Sequence, residues 1–568
     1  MDRAPIPLIH RVLAARGIGN GSAAAFLEPS LSQLHDPSLM PDLDRAAARL
    51  LDGVKRGERI AIYGDYDVDG VTATAILYHT LKAIAPGAEL VPYVPHRLDE
   101  GYGLSEAAVR ELAGGDGGTP GCTLIVSVDC GVTAVGPALA ARACGVDLII
   151  TDHHTPPELE SGLPQAYAVV HPRRPISAGT TEYPFGELCG AGVAYKLAWR
   201  LCTMFCGSAR VSQPLRELLL DLLAFAALGV IADVVPLVGE NRVMARAGLA
   251  AIKHSKFVGL RALVEASGLG GEKIDAADVG FKLGPRLNAC GRMGHAREAV
   301  ELFTTAGEER ATEIARNLCG LNDERRRVEK EIFDQALDAA ESAGMAGTDR
   351  RAIVLADGRW HQGVVGIVCS RLTQRLHRPA ILLQRRDGLC HGSGRSVEGV
   401  DLHAALRECG FHLERFGGHA MAAGMQVSDA KLPAFTEAFI AAINSRLAPE
   451  NLCSTIEADC EARSSELSVP LVQELARLGP FGRSNPSVSV LVRGLTLAGR
   501  PEPLGAAGKH LALRVRDNGH WMRLVAWGWG EHRERLHAGM KLDAILAPRL
   551  TDFNGVRVEP EVLDLCEV

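Results

Sequence analysis

The sequence predicts an α/β protein: a domain with a mainly parallel sheet, a long connecting helix, a smaller α/β domain and a C-terminal β-barrel. Three observations predict this class. Apolar, strand-like segments alternate with helical stretches between residues 51 and 310, as they do in βαβ units. A long charged segment follows that is typical of an exposed helix. After residue 449 the pattern changes to short β segments separated by turns.

These patterns divide the chain into five segments. We predict bounds of 1–50 for an N-terminal helical lead-in, 51–310 for the large α/β domain, 311–345 for the connecting helix, 346–448 for the smaller α/β domain and 449–568 for the barrel.

Length and composition are those of a globular protein with several domains. The chain has 568 residues, of which 47% are hydrophobic and 23% charged. A net charge of −7 excludes a globally basic coat for nucleic acid but leaves room for a local basic groove. The 14 Cys lack the paired spacing of a disulfide framework or zinc ribbon, which predicts reduced thiols in the cytoplasm.

The chain shows no segment that predicts export or membrane insertion. Its first seven residues lack the basic start and apolar block of a signal peptide. The longest apolar stretch, residues 222–232, is too short to span a bilayer and ends at Asp233. We therefore expect a cytoplasmic protein that does not use a membrane.

The central motif of the chain lies in residues 60–72. A short apolar run predicts a buried strand, and Asp65, Asp67 and Asp69 follow it at every second position. Residues 71–81 predict a helix behind these acids. Open α/β sheets place their chemistry at this point, outside the carboxyl ends of the strands.

Three adjacent carboxylates repel one another unless a cation neutralises them. Hard divalent ions such as Mg²⁺ and Mn²⁺ bind such oxygen clusters. A calcium-binding EF-hand begins with a similar pattern but requires Glu at its twelfth position. That position, counted from Asp65, is Ile76, so the EF-hand interpretation fails.

Further acids and imidazoles follow other apolar segments. Asp129 follows residues 123–128, the sequence Asp152-His153-His154 follows another predicted strand, and Asp233 follows residues 228–232. Two-metal hydrolysis needs a bridging carboxylate and further carboxylate or imidazole ligands. A set of oxygen and imidazole ligands favours two Mn²⁺ or Mg²⁺ ions over Zn²⁺. The predicted ligands are Asp67, Asp69, Asp129, His153 and Asp233. For His154, contact with a substrate oxygen and a supporting hydrogen bond remain equal alternatives.

These motifs resemble the DHH phosphoesterase superfamily. The resemblance rests on Asp-Tyr-Asp-Val-Asp-Gly, Val-Asp-Cys-Gly, Asp-His-His and Gly-Val-Ile-Ala-Asp-Val-Val-Pro, which occur in the order of that family. The segments beginning at Gly284, Trp360, Gly417 and Leu478 are similar to its RecJ branch, the single-stranded-DNA-specific exonucleases. The resemblance implies that the large α/β domain is a DHH domain, that the smaller one is a DHHA1 nucleic-acid-binding domain and that the barrel is of the oligonucleotide-binding (OB) type.

The resemblance implies metal-dependent 5′→3′ degradation of single-stranded DNA to mononucleotides, in recombination and repair. It implies that Asp129 bridges two metals, with Asp67 on one and Asp69, His153 and Asp233 on the other. The family often has His where this sequence has Tyr63, so Asp65 or a water is expected to complete the first site.

Candidate DNA contacts follow from the same resemblance. A fork of guanidinium donors suits phosphate oxygens, and glycine-rich surroundings let a backbone approach a ligand. The candidates are Arg97, Arg286, a turn with Ser393 and Arg395, His361 and His419. A further candidate is the basic stretch at residues 371–386, whose alternative is a solvated helix face. The indoles of Trp521, Trp527 and Trp529 are candidates for stacking on bases, and their alternative is packing in the barrel.

Two other functions remain open from the sequence. A DHH phosphoesterase acting on a small nucleotide or oligoribonucleotide would need neither the barrel nor the basic stretch. A catalytically inactive DNA-binding scaffold would lack metal ligands, yet every acid and His named above is present. Single-stranded DNA is the expected partner; contacts with single-strand-binding protein and helicases, and a monomeric state, are expectations of the family alone.

Overall fold

The computed structural model describes residues 6–96, 100–101, 103–115, 120–174, 182–271, 273–552 and 555–568. Its strands form three main sheets; the first packs between two hydrophobic cores, and the other two pack against one core each. Among the helices of the described part, none is both long and apolar enough to cross a bilayer.

Two N-terminal helices precede the large domain. They are α1 (Leu8–Ala15) and α2 (Asn20–Leu27).

The large domain is built on a fully parallel five-stranded sheet in the order β2-β1-β3-β4-β5. Its strands are β1 (Ile60–Gly64), β2 (Leu90–Tyr93), β3 (Leu124–Val128), β4 (Asp147–Thr151) and β5 (Ala168–Val170). Its helices are α3 (Leu43–Lys55), α4 (Val68–Ile84), α5 (Glu106–Gly114), α6 (Val135–Ala143), α7 (Gly190–Cys206), α8 (Gln213–Ala232), α9 (Gly239–Ile252), α10 (Val258–Ala266), α11 (Ala276–Asp278), α12 (Gly284–Met293) and α13 (Arg297–Thr304).

The sheet is buried on both faces because successive side chains of a strand point to opposite sides. In β1, Ile60 and Ile62 pack into the core that contains α4, α7 and α8. Ala61 and Tyr63 pack into the core on the other face, which contains α5 and α6. All five residues of β1 are buried, as the apolar run predicts for a strand inside an α/β sheet.

The register of the sheet aligns the carboxyl ends of its three central strands. Gly64 of β1 pairs with Val128 of β3, and Val128 pairs with Thr151 of β4. The next residues in sequence, Asp65 and Asp129, therefore lie side by side with Asp152 at one edge of the sheet.

Asp233 reaches this edge from a helix rather than from a strand. The apolar residues 228–232 that precede it are the last turns of the 20-residue helix α8. Asp233 is the residue that ends this helix. Residues 222–230 of this helix are all buried because α4, α7 and α9 pack around it.

A 35-residue helix, α14 (Glu308–Ser342), links the large domain to the smaller one and spans about 52 Å. Its ion pairs between Arg327 and Glu331 and between Lys330 and Asp334 are solvent-exposed, as the charge pattern predicts. The smaller domain has a sheet in the order β6-β7-β8-β10-β9. Its elements are β6 (Ile353–Asp357), α15 (Gln362–Leu376), β7 (Ala380–Arg386), β8 (Leu389–Arg395), α16 (Leu402–Glu408), β9 (Arg415–Gly418), β10 (Ala422–Ser428) and α17 (Leu432–Asn444).

The C-terminal strands close into a barrel. Strands β12, β16, β19, β15 and β14 pair in that order, and β14 pairs back to β12, which gives a closed ring of five. This closure confirms the predicted barrel of the OB type. The elements are β11 (Cys460–Glu461), α18 (Val469–Leu475), β12 (Val490–Leu497), β13 (Glu502–Leu504), β14 (His510–Asp517), β15 (His520–Ala526), β16 (Lys541–Ala547), β17 (Leu550–Thr551), β18 (Arg557–Val558) and β19 (Glu561–Glu567).

The N-terminal residues divide between two domains. Leu8 and Val12 of α1 belong to the hydrophobic core of the barrel, whereas α3 packs against α7 of the large domain. Arg16 makes a two-pronged ion pair with Asp459, with N–O distances of 2.7 and 2.9 Å. The start of the chain therefore completes the last domain.

Arg242 of α9 fastens the large domain to the barrel domain. Its side chain is almost fully buried and donates to the carbonyl oxygens of Gly479 (2.8 Å), Arg477 (3.3 Å) and Pro480 (3.4 Å). It also donates to Phe26 at the end of α2 (3.1 Å). The guanidinium thus ties together three segments that are far apart in sequence.

We expect Arg242→Met to loosen this junction, because buried carbonyl oxygens would lose their donors at a cost of roughly 1–3 kcal/mol each. Hydrogen exchange should show faster exchange in residues 476–485. The matched control is Arg246→Gln, because Arg246 is exposed and donates once to the Gly479 oxygen. Equal exchange in the wild type and in Arg242→Met would contradict this role.

Candidate metal centre

The first acids of the centre lie on the turn between β1 and α4. The Asp67 carboxylate begins α4 by accepting from the backbone N–H groups of Asp69 (2.9 Å) and Gly70 (3.1 Å). Gly70 is required by packing, since a Cβ there would lie 2.5 Å from the Asp65 nitrogen. This close turn brings three carboxylates to the start of one helix.

Asp69 is held by the start of α7. Its two carboxylate oxygens accept from the backbone N–H groups of Gly190 (2.6 Å) and Ala191 (2.9 Å). Helix starts carry partial positive charge, so this contact stabilises the carboxylate. A Cβ at Gly229 of α8 would lie 2.3 Å from an Asp69 oxygen, so α8 can pack this closely only with glycine at that position.

Asp129 sits at the centre of the cluster with a strained backbone. It follows β3, is 1% exposed and has a φ of 63°, a left-handed conformation that Asp tolerates better than most residues. A Cβ on Gly190 would lie 2.4 Å from its Oδ1. The conformation and the glycine together fix the direction of this carboxylate.

Asp152 organises the loop that carries the two histidines. Its carboxylate accepts from the backbone N–H groups of Val132 (2.8 Å), His153 (2.7 Å) and His154 (3.1 Å), and pairs with the His154 Nδ1 (2.8 Å). Burial acts to raise the pKa of Asp152, but the bond and charge of His154 hold it at about 2. Burial acts to lower the pKa of His154, and Asp152 raises it to about 9.

A third histidine supports the loop from behind. His171 is fully buried; its Nδ1 accepts from the Arg173 N–H (2.9 Å) and its Nε2 lies 2.7 Å from the His154 carbonyl oxygen. Burial lowers the pKa of His171 to about 4, so the ring is neutral and its Nε2–H donates to that oxygen. The loop is therefore fixed on both sides.

The imidazole of His153 joins the acids of the different elements. Its Nε2 lies 3.2 Å from Asp129 Oδ1, 3.6 Å from Asp233 Oδ2 and 3.8 Å from Asp69 Oδ2. Asp233 reaches this point from the end of α8, next to Val234, whose φ of 58° is a rare conformation for a β-branched residue. Such strain is typical of functional sites.

The predicted ligands therefore converge. Three overlapping sets have ligand atoms within 4.8 Å of one another: Asp65, Asp67 and Asp129; Asp69, His153 and Asp233; and Asp129, His153 and His154.

The shifted pKa values and the unsatisfied buried atoms of the cluster are those expected at a site that binds cations. Burial, followed by repulsion from Asp69 and other carboxylates, raises the pKa of Asp129 well above its usual value and that of Asp233 to about 9. Burial lowers the pKa of His153, which keeps the ring neutral, the form that binds metals. Asp129 Oδ1 and His153 Nε2 are buried without a hydrogen bond. Divalent cations would supply the missing charge and coordination.

Tyr63, which stands where the family often has His, is not placed as a ligand. It is fully buried in β1, donates its hydroxyl to the Gly103 carbonyl oxygen (2.9 Å) and stacks on Tyr93. Asp65 belongs to the same set of ligand atoms as Asp67 and Asp129, so an acid is available for the position that the His would fill.

Several supporting residues were missed by the sequence prediction. Asp152 was noted only as part of a motif, and nothing local indicates that it binds four donors. The donors Gly190 and Ala191 lie 121 and 122 residues from Asp69. Asn288, in the Gly-Pro-Arg-Leu-Asn-Ala segment, accepts from the Val68 N–H (3.2 Å) and fixes the start of α4. That segment was matched in the sequence as a family motif, and this match was the one signal that pointed to Asn288.

The candidate DNA contacts in the smaller domain lie in different settings. His361 begins α15, its Nδ1 accepting from the Gly363 N–H (3.1 Å), and His419 is exposed beyond β9. The expected turn at Ser393 and Arg395 is wrong, because both residues lie in β8, where their backbone groups pair with β7 and β10. Only their side chains remain available for a ligand.

The two remaining arginine candidates also differ. Arg286 of α12 donates to the Lys282 carbonyl oxygen (2.7 Å) and contacts the Cys319 sulfur (3.2 Å) while staying partly exposed. Arg97 lies outside the described residues.

The basic stretch is not a continuous track. Arg378 is buried and binds several carbonyl oxygens around Met345, and Arg371 and Arg385 pair with Glu329 and Asp429. In the barrel, Trp521 and Trp527 are 61% and 54% exposed.

Comparisons with known proteins agree with this architecture. Family models match the DHH family, N-terminal domain, at residues 59–227, the DHHA1 domain at 349–445 and the RecJ OB domain at 458–560. The chain is 36% identical over 561 residues to the single-stranded-DNA-specific exonuclease RecJ of Bacillus subtilis, covering 98% of this chain and 67% of that protein. It is 33% identical to the protein of that name from Escherichia coli, covering 84% and 82%.

Solved structures give the same result. The crystal structure of RecJ in complex with Mn²⁺ from Thermus thermophilus matches with a TM-score of 0.78 and 32% identity, over 100% of this chain and 79% of that one. A structure of exonuclease RecJ bound to manganese matches with a TM-score of 0.61 and 36% identity, over 75% and 99%.

The fold and the acid-lined edge of its sheet define a protein of the DHH family. Within it, the chain belongs to the RecJ family, because relatives of that name are 33–36% identical over 67–82% of their own length. The predicted family is thus confirmed, while the predicted domain bounds and the roles of single residues stay predictions.

The raised pKa of Asp233 predicts a pH dependence of stability in the metal-free protein. An acid with a folded pKa of about 9 and an ordinary value of 3.8 keeps a proton that the unfolded chain releases. Stability contributed by this site is therefore greatest near pH 4 and declines as the pH rises toward 9. Thermal unfolding in EDTA between pH 5 and 9 should show this decline.

Asp129→Asn should flatten this decline and stabilise the metal-free protein by about 1–2 kcal/mol at pH 8, while weakening protection by Mn²⁺. Asp221→Asn is the matched control, because Asp221 lies at the surface of α8 and pairs with Lys256. A wild-type stability that rises with pH over this range would contradict the repulsion.

A second prediction concerns the space beside Asp129. Gly190→Ala changes no charge but puts a methyl group where the Asp129 carboxylate lies, so we expect Mn²⁺ affinity to fall roughly 10- to 100-fold. Calorimetric titration measures this change. Gly320→Ala, in α14 with open space around it, should bind Mn²⁺ like the wild type. Unchanged affinity in Gly190→Ala would show that Asp129 can move freely.

Proposed function

We propose that this chain is a metal-dependent exonuclease that hydrolyses single-stranded DNA from the 5′ end to mononucleotides. The observation that carries the proposal is the convergence of five acids and His153 at one edge of the parallel sheet. Membership of a family whose similar members are named single-stranded-DNA-specific exonucleases supports the substrate.

Two Mn²⁺ or Mg²⁺ ions fit the cluster. Asp67 and Asp65 would hold one ion, Asp69, His153 and Asp233 the other, and Asp129 would contact both. When bound, the ions supply positive charge to the phosphate and lower the pKa of a water. Similar RecJ structures are complexes with Mn²⁺ and with Mg²⁺, which supports this choice of metal.

The protein's own groups have distinct tasks in this reaction. A neutral His153 serves as a ligand, and its low pKa keeps it so at pH 7. His154, whose pKa is about 9, carries a proton at that pH on a side chain that is 40% exposed. We infer that it donates to an oxygen of the substrate phosphate. Water adds to phosphorus, the P–O3′ bond breaks and the O3′ leaves with a proton.

Several side chains would guide the strand. We propose phosphate contacts for Arg97, Arg286, His361, Ser393, Arg395 and His419, and base stacking for Trp521 and Trp527. In support, Ser393 and Arg395 lie together, since a Cβ on Gly366 would be 3.3 Å from the Ser393 Oγ and 3.5 Å from the Arg395 Nη2. Contacts with single-strand-binding protein and helicases and the monomeric state stay predictions of the family resemblance. The cytoplasmic location stays a prediction from the cysteine spacing and from the composition of the first residues.

The test incubates the full chain with Mn²⁺ and DNA labelled at the 5′ or the 3′ end. Early release of 5′-labelled mononucleotides from single strands, and not from duplex, is expected. Asp129→Asn should reduce the rate at least about 100-fold, whereas Asp221→Asn should retain it.

Other outcomes would overturn the proposal. Release of the 3′ label first would contradict the direction. Turnover of dinucleotides with no turnover of longer strands would favour a small-nucleotide phosphoesterase. Binding of DNA without any hydrolysis would favour an inactive scaffold.

A further inference from the structure

A tight turn of the barrel domain lies against the segment that follows Asp233. It spans Gly482 to Asn485, where the Gly482 N–H donates to the Asn485 carbonyl oxygen (2.8 Å) and the Asn485 N–H donates back to that of Gly482 (3.1 Å). Ser484 has a φ of 60°, which closes the turn. Arg483 and Ser484 are therefore presented at its tip, and both are exposed.

The turn is anchored in its own domain by a buried amide. The Nδ2 of Asn485 donates to the carbonyl oxygens of Leu478 (2.9 Å) and Pro480 (2.8 Å), and its Oδ1 accepts from Arg16 (2.8 Å). Arg242 of the large domain binds the preceding carbonyl oxygens, as described above. The base of the turn is thus fixed by groups from three parts of the chain.

The tip of the turn contacts the segment that carries Asp233. The Leu237 N–H donates to the Arg483 carbonyl oxygen (2.8 Å), and the Arg483 Nη1 lies 3.4 Å from the Val234 carbonyl oxygen. A Cβ on Gly482 would lie 2.8 Å from the Leu237 side chain, so the two segments are in close contact. Val234 is the next residue after Asp233.

The contact between the turn and the segment after Asp233 is made mainly by the backbone of the turn, so the Arg483 side chain has few partners. Its guanidinium makes one long hydrogen bond at the surface and no ion pair among the residues that the structure describes. Burial and the charges of Asp69 and Asp67 raise the pKa of Asp233, and the Arg483 charge opposes that rise. An unpaired guanidinium is thus held within electrostatic reach of the ligand cluster.

We propose that Arg483 binds a phosphate of the single-stranded substrate on the Asp233 side of the metal centre, so that the barrel domain contributes a residue to the active site. The proposal rests on the proposed function. An anionic strand must approach a cluster of carboxylates, and a forked cation beside them offsets the repulsion and fixes a phosphate. Because hydrogen bonds already fix the backbone of the turn, little backbone entropy is lost when the phosphate binds.

The first test measures binding. Fluorescence anisotropy of a labelled 20-nucleotide oligothymidylate, in EDTA to prevent turnover, gives Kd over a range of NaCl concentrations. Arg483→Gln should weaken binding roughly 5- to 10-fold and reduce the slope of log K against log salt by about 0.7, the loss of one phosphate contact. Arg483→Lys should keep most of the salt slope, since it keeps the charge.

The second test measures turnover with Mn²⁺. We expect Arg483→Gln to raise KM for the strand more than it lowers kcat, because a binding contact is lost. The matched control is Arg216→Gln, an exposed arginine near the other end of α8, about 26 Å from Asp233 along the helix. This control should match the wild type in Kd, salt slope and KM.

The outcomes separate this inference from the proposed function. If the wild type releases nucleotides but Arg483→Gln has an unchanged salt slope and KM, the inference fails and the function stands. If the wild type binds but does not hydrolyse, the function fails, and the salt slope still decides the Arg483 contact. If Arg483→Gln speeds hydrogen exchange in residues 476–485 and Arg483→Lys does not reverse it, Arg483 is a docking residue and the inference is wrong.

Discussion

The repulsion among buried carboxylates is the constraint on which the rest of the structure depends. Asp65, Asp69 and Asp129 are each almost inaccessible to solvent, and no arrangement of hydrogen bonds alone makes such a cluster favourable. The protein holds it with helix starts, with backbone N–H donors and with glycines that allow helices α7 and α8 to approach the acids. The cluster is therefore arranged to bind cations, and the folded protein is less stable without them.

The three domains depend on one another through few, well-placed contacts. The parallel sheet supplies the metal ligands, α14 carries the smaller domain away from them, and the barrel returns to the large domain through the segment around Gly479. The N-terminal helix α1 completes the barrel core, so the first helix and the last strand of the described residues lie in one domain. This arrangement brings the Arg483 guanidinium of the barrel to 3.4 Å from the carbonyl oxygen of Val234, the residue that follows Asp233.

Much of the centre could be predicted from the sequence because the rule behind it is local: in a parallel sheet, residues after neighbouring strands meet at one edge. Asp233 lies outside this rule because it reaches the same edge from the end of helix α8, and a short run of Leu, Ala, Val and Ile predicts a strand or a buried helix equally well. The turn predicted at Ser393 is wrong, because Ser393 lies in strand β8, where Gly392 lets the strand lie close to the Leu382 backbone. The partners of Asp69, and the place of α1 in the barrel, depend on contacts distant in sequence that no local pattern records.

Anomalous scattering from crystals of the full chain soaked in Mn²⁺ tests the central claim most directly. Two peaks are predicted, one contacted by Asp67 with Asp65, the other by Asp69, His153 and Asp233, with Asp129 touching both. Absence of peaks from this cluster under saturating Mn²⁺, or peaks held by other residues, would contradict the claim that these acids converge in order to bind metal.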